Sequence, residues 1–399
     1  MNKFIQLFDA NKMKALKSLF LLNPELTYLN HGSFGACPEP VFNEYQKWQL
    51  ELEKSPVHFM LERAPILLKE ARERLAKYIG CFAEDLVYTT NPSYAINIIA
   101  KSIDLKAGDE ILSTDLEYGA MDRTWKYYCK QKGAKYIRQK IQLPICNKEQ
   151  IVNEIFNGYT NKTKALFISH ITSTTALILP VKEICDRAKE LGLMTIVDGA
   201  HVPGHIPLKI KDLNVDIYTG ACHKWMLSPK GASFLYVNKK IQDLFDPLVI
   251  SWGYESDDPS DSKFIDYHQY QGTRDIAAFL TIPRAIDFLE ENNWLEVSLN
   301  CKKLVLDNYE SLCGVLGSLP ICPLNSDFLG QMCSAPIKSN NEIKLKEVLF
   351  NKYKIEIPLM KSDDQLFIRM SVQCYNSQKD IDCLFNVLEE LNKSSDLIH

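Results

Sequence analysis

The sequence predicts an α/β protein in which helices cover a parallel or mixed β-sheet. Strand-like and helix-like segments alternate between residues 86 and 237, as they do when helices wrap a sheet. The strands are apolar and rich in β-branched residues, and the crossovers between them are short. The chain has 399 residues, of which 46% are apolar and 24% charged. This is the balance of a globular protein with roughly two or three domains.

Six strands are predicted in this region, at residues 86–89, 110–113, 165–171, 195–197, 215–219 and 233–237. A helix follows the first strand, because apolar side chains recur there at the i, i+3, i+4 and i+7 positions of an amphipathic helix, namely Ile96, Ile99, Ala100 and Ile103. A second helix, at 181–191, ends before Gly192, a residue suited to a left-handed cap.

The pattern changes after about Arg284, where a helical region at 295–316 is followed by a strand at 367–370 and a final helix. Ser377 and Asp380 form a capping box for that helix. Its apolar face consists of Ile381, Leu384, Phe385 and Leu388. We therefore predict three parts: an N-terminal segment (1–40) that packs with the small domain, a large domain (41–285) and a small α+β domain (286–399).

Charge and hydropathy exclude several classes of protein. The 46 Lys and Arg residues against 50 Asp and Glu give a net charge of −4, so there is no basic excess for nucleic acid or an anionic membrane. No apolar run approaches the roughly 20 residues that span a bilayer. The apolar stretch at 19–22 is too short for the core of a signal peptide. The sequence predicts a soluble, cytoplasmic protein without nucleic-acid or membrane partners.

The cysteines and histidines predict no metal site. The 12 cysteines are scattered and form no CxxC pair, so most are expected to be reduced core residues. His201 and His205 have the spacing of two ligands on a helix, but Pro203 and Gly204 between them would break that helix.

Three features at the ends of predicted strands point to chemistry, because open α/β sheets bind ligands there. In the first, Asn91 suits a helix N-cap and Pro92 suits the first helical position. The exposed N–H groups of that helix, together with the Ser93 hydroxyl, would bind a phosphate. The alternative is a plain helix cap.

The other two features are a carboxylate and an amine. Asp198 ends an apolar strand, a costly position for a carboxylate unless a cation meets it, and the alternative is a loop-capping aspartate. Lys224 lies between His223 and Trp225, surroundings that can lower the pKa of an amine, and the alternative is a solvated surface lysine. A phosphate site, a buried acid and an activated lysine are together what pyridoxal 5'-phosphate requires.

These residues resemble the class V aminotransferase family of fold-type I pyridoxal enzymes, from about Tyr28 to Leu391. The strongest likeness lies in residues 222–225 and 229–231. Residues 29–35, 271–275, 368–371 and 375–376 resemble the isopenicillin N epimerase-like branch. The resemblance implies a large domain with a mainly parallel, seven-stranded sheet between helices, and a smaller C-terminal α+β domain.

The resemblance also implies roles for individual residues. Lys224 would bind the cofactor covalently and move protons, Asp198 would pair with the pyridinium nitrogen, and His201 would approach the phenolic oxygen. Tyr118 would stack on the ring. The residues implied to hold the phosphate are Pro92, Ser93 and His223, with Thr273 reaching it from a neighbouring subunit, which implies a homodimer with the active site at the subunit interface.

On the substrate side, Asn30 and His31 would lie beside an amino-acid-type substrate, and Arg369 would hold its carboxylate, a task suited to the forked guanidinium. The alternative for Arg369 is a surface ion pair. Thr172 and Ser173 occupy the stretch where related enzymes often carry two asparagines near the phenolic oxygen. Ala221 stands where many relatives have a serine that contacts the phosphate.

Cysteine desulfurases of this family need a catalytic cysteine shortly before the arginine strand. The sequence has none between Ile355 and Ile368, which disfavours the persulfide route. The resemblance therefore favours an isopenicillin N epimerase-like enzyme acting at the Cα of an amino acid or small peptide. A C–S lyase acting on a cysteine derivative or sulfoxide, or an aminotransferase, is the alternative within the family. An inactive, cofactor-binding dimeric scaffold is the alternative outside catalysis.

Overall fold

A computed structural model describes residues 15–325, 327–394 and 396–398. Its strands are β1 (Thr27–Tyr28), β2 (Leu86–Thr89), β3 (Glu110–Thr114), β4 (Lys135–Gln139), β5 (Thr163–Ser169), β6 (Met194–Asp198), β7 (Ile217–Ala221), β8 (Ser233–Val237), β9 (Met332–Pro336), β10 (Ile355–Glu356), β11 (Leu359–Ser362) and β12 (Gln365–Ser371).

The described helices are α1 (His31–Phe34), α2 (Glu39–Lys54), α3 (Pro56–His58), α4 (Ala64–Ile79), α5 (Pro92–Ser102), α6 (Gly119–Lys132), α7 (Lys148–Phe156), α8 (Val181–Glu190), α9 (Lys263–Gln269), α10 (Ala277–Leu280), α11 (Ile282–Glu291), α12 (Trp294–Val315), α13 (Glu342–Asn351) and α14 (Gln378–Ser394). A π-helical turn, Phe59–Arg63, joins α3 to α4.

Seven of the described strands form the central sheet, in the order β2-β8-β7-β6-β5-β3-β4. Strand β8 runs antiparallel to both of its neighbours, and the other pairings are parallel. The predicted mainly parallel, seven-stranded sheet is therefore confirmed. A second, antiparallel sheet has the order β11-β12-β9.

The central sheet is buried on both faces because its strands carry apolar side chains at successive positions. Leu166, Ile168 and Val197 point into one core cluster. Phe167 and Ile196, which alternate with them, point into the other. With both faces covered, the strand ends are where polar groups can meet a ligand.

The helix starts follow the sequence signals. The Asn91 side chain accepts a hydrogen bond from the Tyr94 N–H at 2.8 Å, with Pro92 as the first residue of α5, as predicted. The Asp380 carboxylate accepts bonds from the N–H and the hydroxyl of Ser377 at 2.7 and 3.0 Å, which confirms the predicted capping box.

Other elements differ from the prediction. Strand β4 was not predicted, because Lys135–Gln139 is a polar, partly exposed strand at the sheet edge and lacks an apolar signal. The strand predicted at 215–219 lies at Ile217–Ala221, where its register is set by pairing with β6 and β8. All 12 cysteines are free thiols and nine are buried, which agrees with their predicted role in the core.

The N-terminal segment contacts the C-terminal part of the chain. Strand β1 pairs in parallel with β10, and the Asn376 side chain donates to the Tyr28 carbonyl at 2.9 Å. Residues 1–14 of the predicted segment lie outside the described residues. The division into parts 1–40, 41–285 and 286–399 stays a proposal, which these contacts support.

Two absences hold for the part of the chain that the structure describes. None of its helices combines the length and apolar character needed to cross a membrane. The same residues contain no group of three or more His, Cys, Asp or Glu side chains that could hold a metal ion.

Candidate active site

A cavity of about 470 Å³ opens where β2, β3, β5, β6 and β7 end. Its volume lies in the range of small-ligand sites. The predicted site residues that line it are Pro92, Ser93, Tyr118, Ser173, Asp198, His201, His223 and Lys224. The first and last of these predicted residues, Pro92 and Lys224, are 132 positions apart in the chain, and the sheet brings them together.

The other lining residues have no site role predicted from the sequence: Ser33, Phe34, Thr90, Asn91, Met121, Ser169, Ile171, Ala200, Lys230 and Gly231. Several adjoin motifs that were recognised, so position within the motif was the available signal. Ser169 pairs with Asp198 across β5 and β6, a neighbour relation that only the sheet register reveals.

Five predicted residues do not line the cavity: Asn30, His31, Thr172, Thr273 and Arg369. Thr172 is buried in a turn, where its hydroxyl bonds to that of Thr175 at 2.7 Å. Thr273 is exposed at the surface of the chain. Asn30 bonds to Glu356 at 3.4 Å and accepts from the Ser33 hydroxyl at 2.5 Å.

Asp198 is a buried carboxylate at the end of β6, 3% exposed. Its Oδ1 accepts the Ala200 N–H at 2.9 Å. Burial raises the pKa of Asp198, and the Ala200 N–H and the charge of Lys224 oppose that rise. Among the described residues no cation forms an ion pair with it within 4 Å. Because a buried carboxylate is costly without a cationic partner, Asp198 fits a ligand that brings a protonated nitrogen.

Lys224 is partly buried, and its Nζ lies 3.3 Å from His201 Nε2. Burial lowers the pKa of Lys224 to about 8, the charge of Arg369 adds to that effect, and Asp198 opposes it. At pH 7 about a tenth of such amines are neutral, far more than for an ordinary lysine. The structure therefore gives Lys224 the properties of a nucleophilic amine rather than a solvated charge.

The phosphate side of the cavity is the N-terminus of α5. Pro92, which has no N–H, and Ser93 begin this helix, and the Tyr94 N–H is bonded to the Asn91 side chain, so the Ser93 N–H and hydroxyl are the groups left for a ligand. His223 Nδ1 lies 2.9 Å from the Ala232 carbonyl, so it carries a proton and Nε2 is left for a ligand. Burial lowers the pKa of His223 to about 4, and a bound dianion would raise it again.

Glu117, which sequence analysis missed, lies behind Asp198 and is buried. Its two carboxyl oxygens accept bonds from the hydroxyls of Thr114 at 2.7 Å and Ser169 at 2.6 Å. Burial raises the pKa of Glu117 to about 8, and the nearby carboxylates of Asp198 and Asp122 add to the rise. At neutral pH this group is mostly protonated, because burial outweighs the two hydroxyl bonds that favour its ionised form.

Arg369, on β12, is 1% exposed and therefore not part of a surface ion pair. Its Nη1 donates to the Ser173 carbonyl at 2.7 Å, and its Nη2 donates to the Ser33 hydroxyl at 3.0 Å. Both serines line the cavity. Burial lowers the pKa of Arg369 to about 10. Within the described part of the chain its Nε has no partner and no carboxylate pairs with it, so the guanidinium suits an incoming carboxylate.

His31 lies beneath the Lys224 backbone and is fully buried. Its Nδ1 is 2.7 Å from the Tyr375 hydroxyl, and its Nε2 is 3.2 Å from the Lys224 carbonyl. Burial lowers the pKa of His31 to about 3. This placement supports the backbone of Lys224 and keeps the imidazole away from the cavity lining.

The residues present fit pyridoxal phosphate on three counts. Lys224 offers an amine that is partly neutral at pH 7, Asp198 is a buried carboxylate with no ion-pair partner among the described residues and so suits the ring nitrogen, and the start of α5 offers the Ser93 N–H and hydroxyl to the phosphate. Tyr118, 45% exposed in the free chain, lies at the same cavity, where its ring can face a flat heterocycle. The fold and the site together define a pyridoxal-phosphate enzyme.

The comparisons with known proteins identify the family. The family model described as "Aminotransferase class-V" matches residues 28–384, so the chain belongs to the class V aminotransferase family. It is similar to isopenicillin N epimerase from Amycolatopsis lactamdurans, at 32% identity over 93% of this chain and 96% of that one. It is also similar to isopenicillin N epimerase from Streptomyces clavuligerus, at 30% identity over the same shares.

More distant relatives carry out other reactions. The hercynylcysteine sulfoxide lyase of Schizosaccharomyces pombe is 22% identical, over 94% of this chain and 96% of that one. Among solved structures, an apo cysteine desulfurase from Thermococcus onnurineus NA1 superposes with a TM-score of 0.82 at 21% identity, covering 95% of this chain and 98% of that one. This likeness confirms the fold-type I prediction. The chain is an enzyme that uses pyridoxal phosphate.

Proposed function

We propose that this enzyme inverts the configuration at the Cα of an amino acid or small peptide, as an isopenicillin N epimerase-like enzyme. The inference that the substrate is an amino acid or peptide rests on Arg369. This buried guanidinium donates to two residues of the cavity lining and has no carboxylate partner among the residues described. The relatives at 30–32% identity support the epimerase part.

Each residue has a task in this proposal. Bound pyridoxal phosphate supplies an electron-poor ring that weakens the bonds to the substrate Cα. Asp198 keeps the ring nitrogen protonated, and Tyr118 covers one face of the ring. Arg369 holds the substrate carboxylate, which fixes the direction of the Cα–H bond. Lys224 Nζ, a base of suitable pKa, takes up the Cα proton on one face, and inversion requires a second acid that returns a proton to the opposite face.

Further predicted residues belong to the same proposal. Pro92, Ser93 and His223 bind the phosphate, His201 approaches the phenolic oxygen, and Thr273 reaches the phosphate of a second subunit. The exposure of Thr273 supports this dimer, since its side chain is available to a partner. Phe34 supports it as well, because this apolar residue of the cavity lining is 68% exposed in the single chain.

A C–S lyase is the second candidate, favoured by the sulfoxide lyase relative. It needs the same Lys224, Asp198 and Arg369 but loses a sulfur group from Cβ in place of proton return. A persulfide mechanism is disfavoured, because the segment between Ile355 and Ile368 has no cysteine. Aminotransfer would use the same residues again. The inactive scaffold is disfavoured by the amine and carboxylate that share one cavity.

One experiment separates these reactions. The loaded enzyme is incubated in heavy water with a panel of L-amino acids, including cysteine derivatives, and of small peptides, and Lys224→Ala serves as the control. Deuterium at Cα together with loss of chirality is expected. Pyruvate with a sulfur product would indicate the lyase, and a new amine on an added keto acid would indicate aminotransfer. Normal turnover by Lys224→Ala would refute the assigned role of the lysine.

A further inference from the structure

Trp225 forms a hydrogen bond to a histidine of the cavity lining. This indole is fully buried, and its Nε1–H donates to His201 Nδ1 at 3.3 Å. One face of the indole stacks on His205, with ring centroids 4.1 Å apart and an interplanar angle of 27°. Because an indole N–H can only donate, His201 Nδ1 must be the acceptor of this bond.

This bond decides the tautomer of His201. A neutral imidazole that accepts at Nδ1 carries its proton on Nε2. His201 is buried close to Lys224 and Arg369, with His205 and His31 as the other titratable neighbours, and these surroundings lower its pKa well below the ordinary value. A second proton on Nδ1 is therefore opposed both by the nearby charges and by the Trp225 N–H.

Among the described residues, the Nε2–H of His201 then has one acceptor within hydrogen-bond distance. Lys224 Nζ lies 3.3 Å away and accepts this hydrogen only when its amine is neutral. The contacts from Trp225 through His201 to Lys224 are thus mutually consistent only with a neutral lysine. The lowered pKa of Lys224, about 8, leaves about a tenth of the amine neutral at pH 7 and most of it neutral at pH 9, so this arrangement is accessible near neutral pH.

We propose that Trp225 is a positioning residue that fixes His201 as its Nε2–H tautomer, so that the ring always presents a donor to the cavity. In the free enzyme that donor meets the Lys224 amine. In the loaded enzyme it meets the phenolic oxygen of the cofactor, a step that rests on the placement of His201 in the proposed function. No other donor to Nδ1 of His201 is found among the described residues.

The test compares Trp225→Phe with Trp125→Phe. Phenylalanine keeps an aromatic ring in the core but removes the N–H. Trp125 is the matched control, because it is also fully buried and its Nε1 has no partner among the described side chains. The first readout is the ¹⁵N NMR spectrum of histidine-labelled apoenzyme, with the His201 signals assigned by difference from His201→Gln.

In the wild type and in Trp125→Phe, we expect His201 as a single tautomer protonated at Nε2. In Trp225→Phe, we expect a mixture of tautomers, and a shift of about one unit in the pH midpoint of the cofactor absorbance band, since a hydrogen bond to the phenolic oxygen is weakened. A wild-type spectrum with the proton on Nδ1 would overturn the proposal even if Trp225→Phe failed to fold. An unchanged tautomer and midpoint in a folded Trp225→Phe would overturn it too.

These outcomes are separate from those of the epimerase experiment. The NMR readout uses the apoenzyme without substrate, so it stands whichever reaction the enzyme catalyses. A lyase or aminotransferase result would refute the proposed function and leave the role of Trp225 intact. A failed tautomer test would leave the proposed reaction intact.

Discussion

The lowered pKa of Lys224 makes cofactor capture depend on pH in a way that can be calculated. Covalent capture of pyridoxal phosphate requires the neutral amine. With a pKa of about 8, roughly 10% of Lys224 is neutral at pH 7, against about 0.03% for a lysine with an ordinary pKa, a difference of about 300-fold. Capture should accelerate about tenfold between pH 7 and pH 9 and then level off.

Two variants move this midpoint in opposite directions. The charge of Arg369 lowers the pKa of Lys224 and that of Asp198 raises it. Arg369→Met should therefore move the plateau to higher pH, and Asp198→Asn should move it to lower pH. The neutral substitutions keep similar side-chain volumes, so the sign of the shift reports the lost charge.

The assay is stopped-flow absorbance after mixing apoenzyme with excess pyridoxal phosphate across about pH 6 to 10. Dividing each rate by that of Nα-acetyl-lysine at the same pH removes the titration of the cofactor itself, and because the free amine still titrates, this ratio should be level below about pH 8 and fall above it. A relative rate that gains no advantage over the free amine at pH 7 would refute the assigned pKa. Shifts of the same sign in both variants would refute the electrostatic explanation.

Three further predictions concern buried groups near the site. Glu117 has a folded pKa of about 8, above its unfolded value, so its contribution to stability is present at low pH and lost as pH rises. Relative to the wild type, the free energy of unfolding of Glu117→Gln should therefore increase by about 3 kcal/mol between pH 5 and pH 8. Urea titration measures this difference, and parallel pH profiles of the two proteins would contradict it. His31 has a folded pKa of about 3, below its unfolded value, so its contribution to stability is present above pH 6.5 and lost as pH falls. The free energy of unfolding of the wild type should fall by about 2 kcal/mol between pH 7.5 and pH 5 through this group, and that of His31→Gln should depend correspondingly less on pH. Gly35 has a φ of 69°, and an added Cβ would lie 2.4 Å from the His223 carbonyl oxygen and 2.9 Å from the Lys224 Cα. Gly35→Ala should therefore weaken cofactor binding at least tenfold, as measured by equilibrium dialysis, and an unchanged affinity would show that the loop adapts.

Local sequence patterns predicted much of the fold because they act over short distances. The cap at Asn91 and Pro92 and the capping box at Ser377 depend on residues within one helical turn, and both formed as predicted. The buried strands were recognisable from their β-branched residues. The edge strand Lys135–Gln139 was missed because its stability comes from pairing with β3 and not from an apolar pattern of its own.

The residues of the site differ in the same way, since some were predictable from local sequence and others only from tertiary contacts. Lys224, Asp198 and the start of α5 were recognisable, because each follows a strand and its chemistry is unusual for that position. Glu117 gave no such signal: an acidic residue before a tyrosine is ordinary in sequence. Only the tertiary structure, which buries the Glu117 carboxyl near Asp198, makes that carboxyl neutral, since burial outweighs the bond from the Ser169 hydroxyl.

By itself, the sequence determined which chemical groups the enzyme has and the secondary-structure elements that carry them. The tertiary structure decided the charge state and partners of those groups. Arg369 meets Ser33 across 336 positions of the chain, and Trp225 meets His201 across 24. Protonation depends on burial and on the polar neighbours within a few ångströms, and both are set by contacts between segments that are remote in sequence.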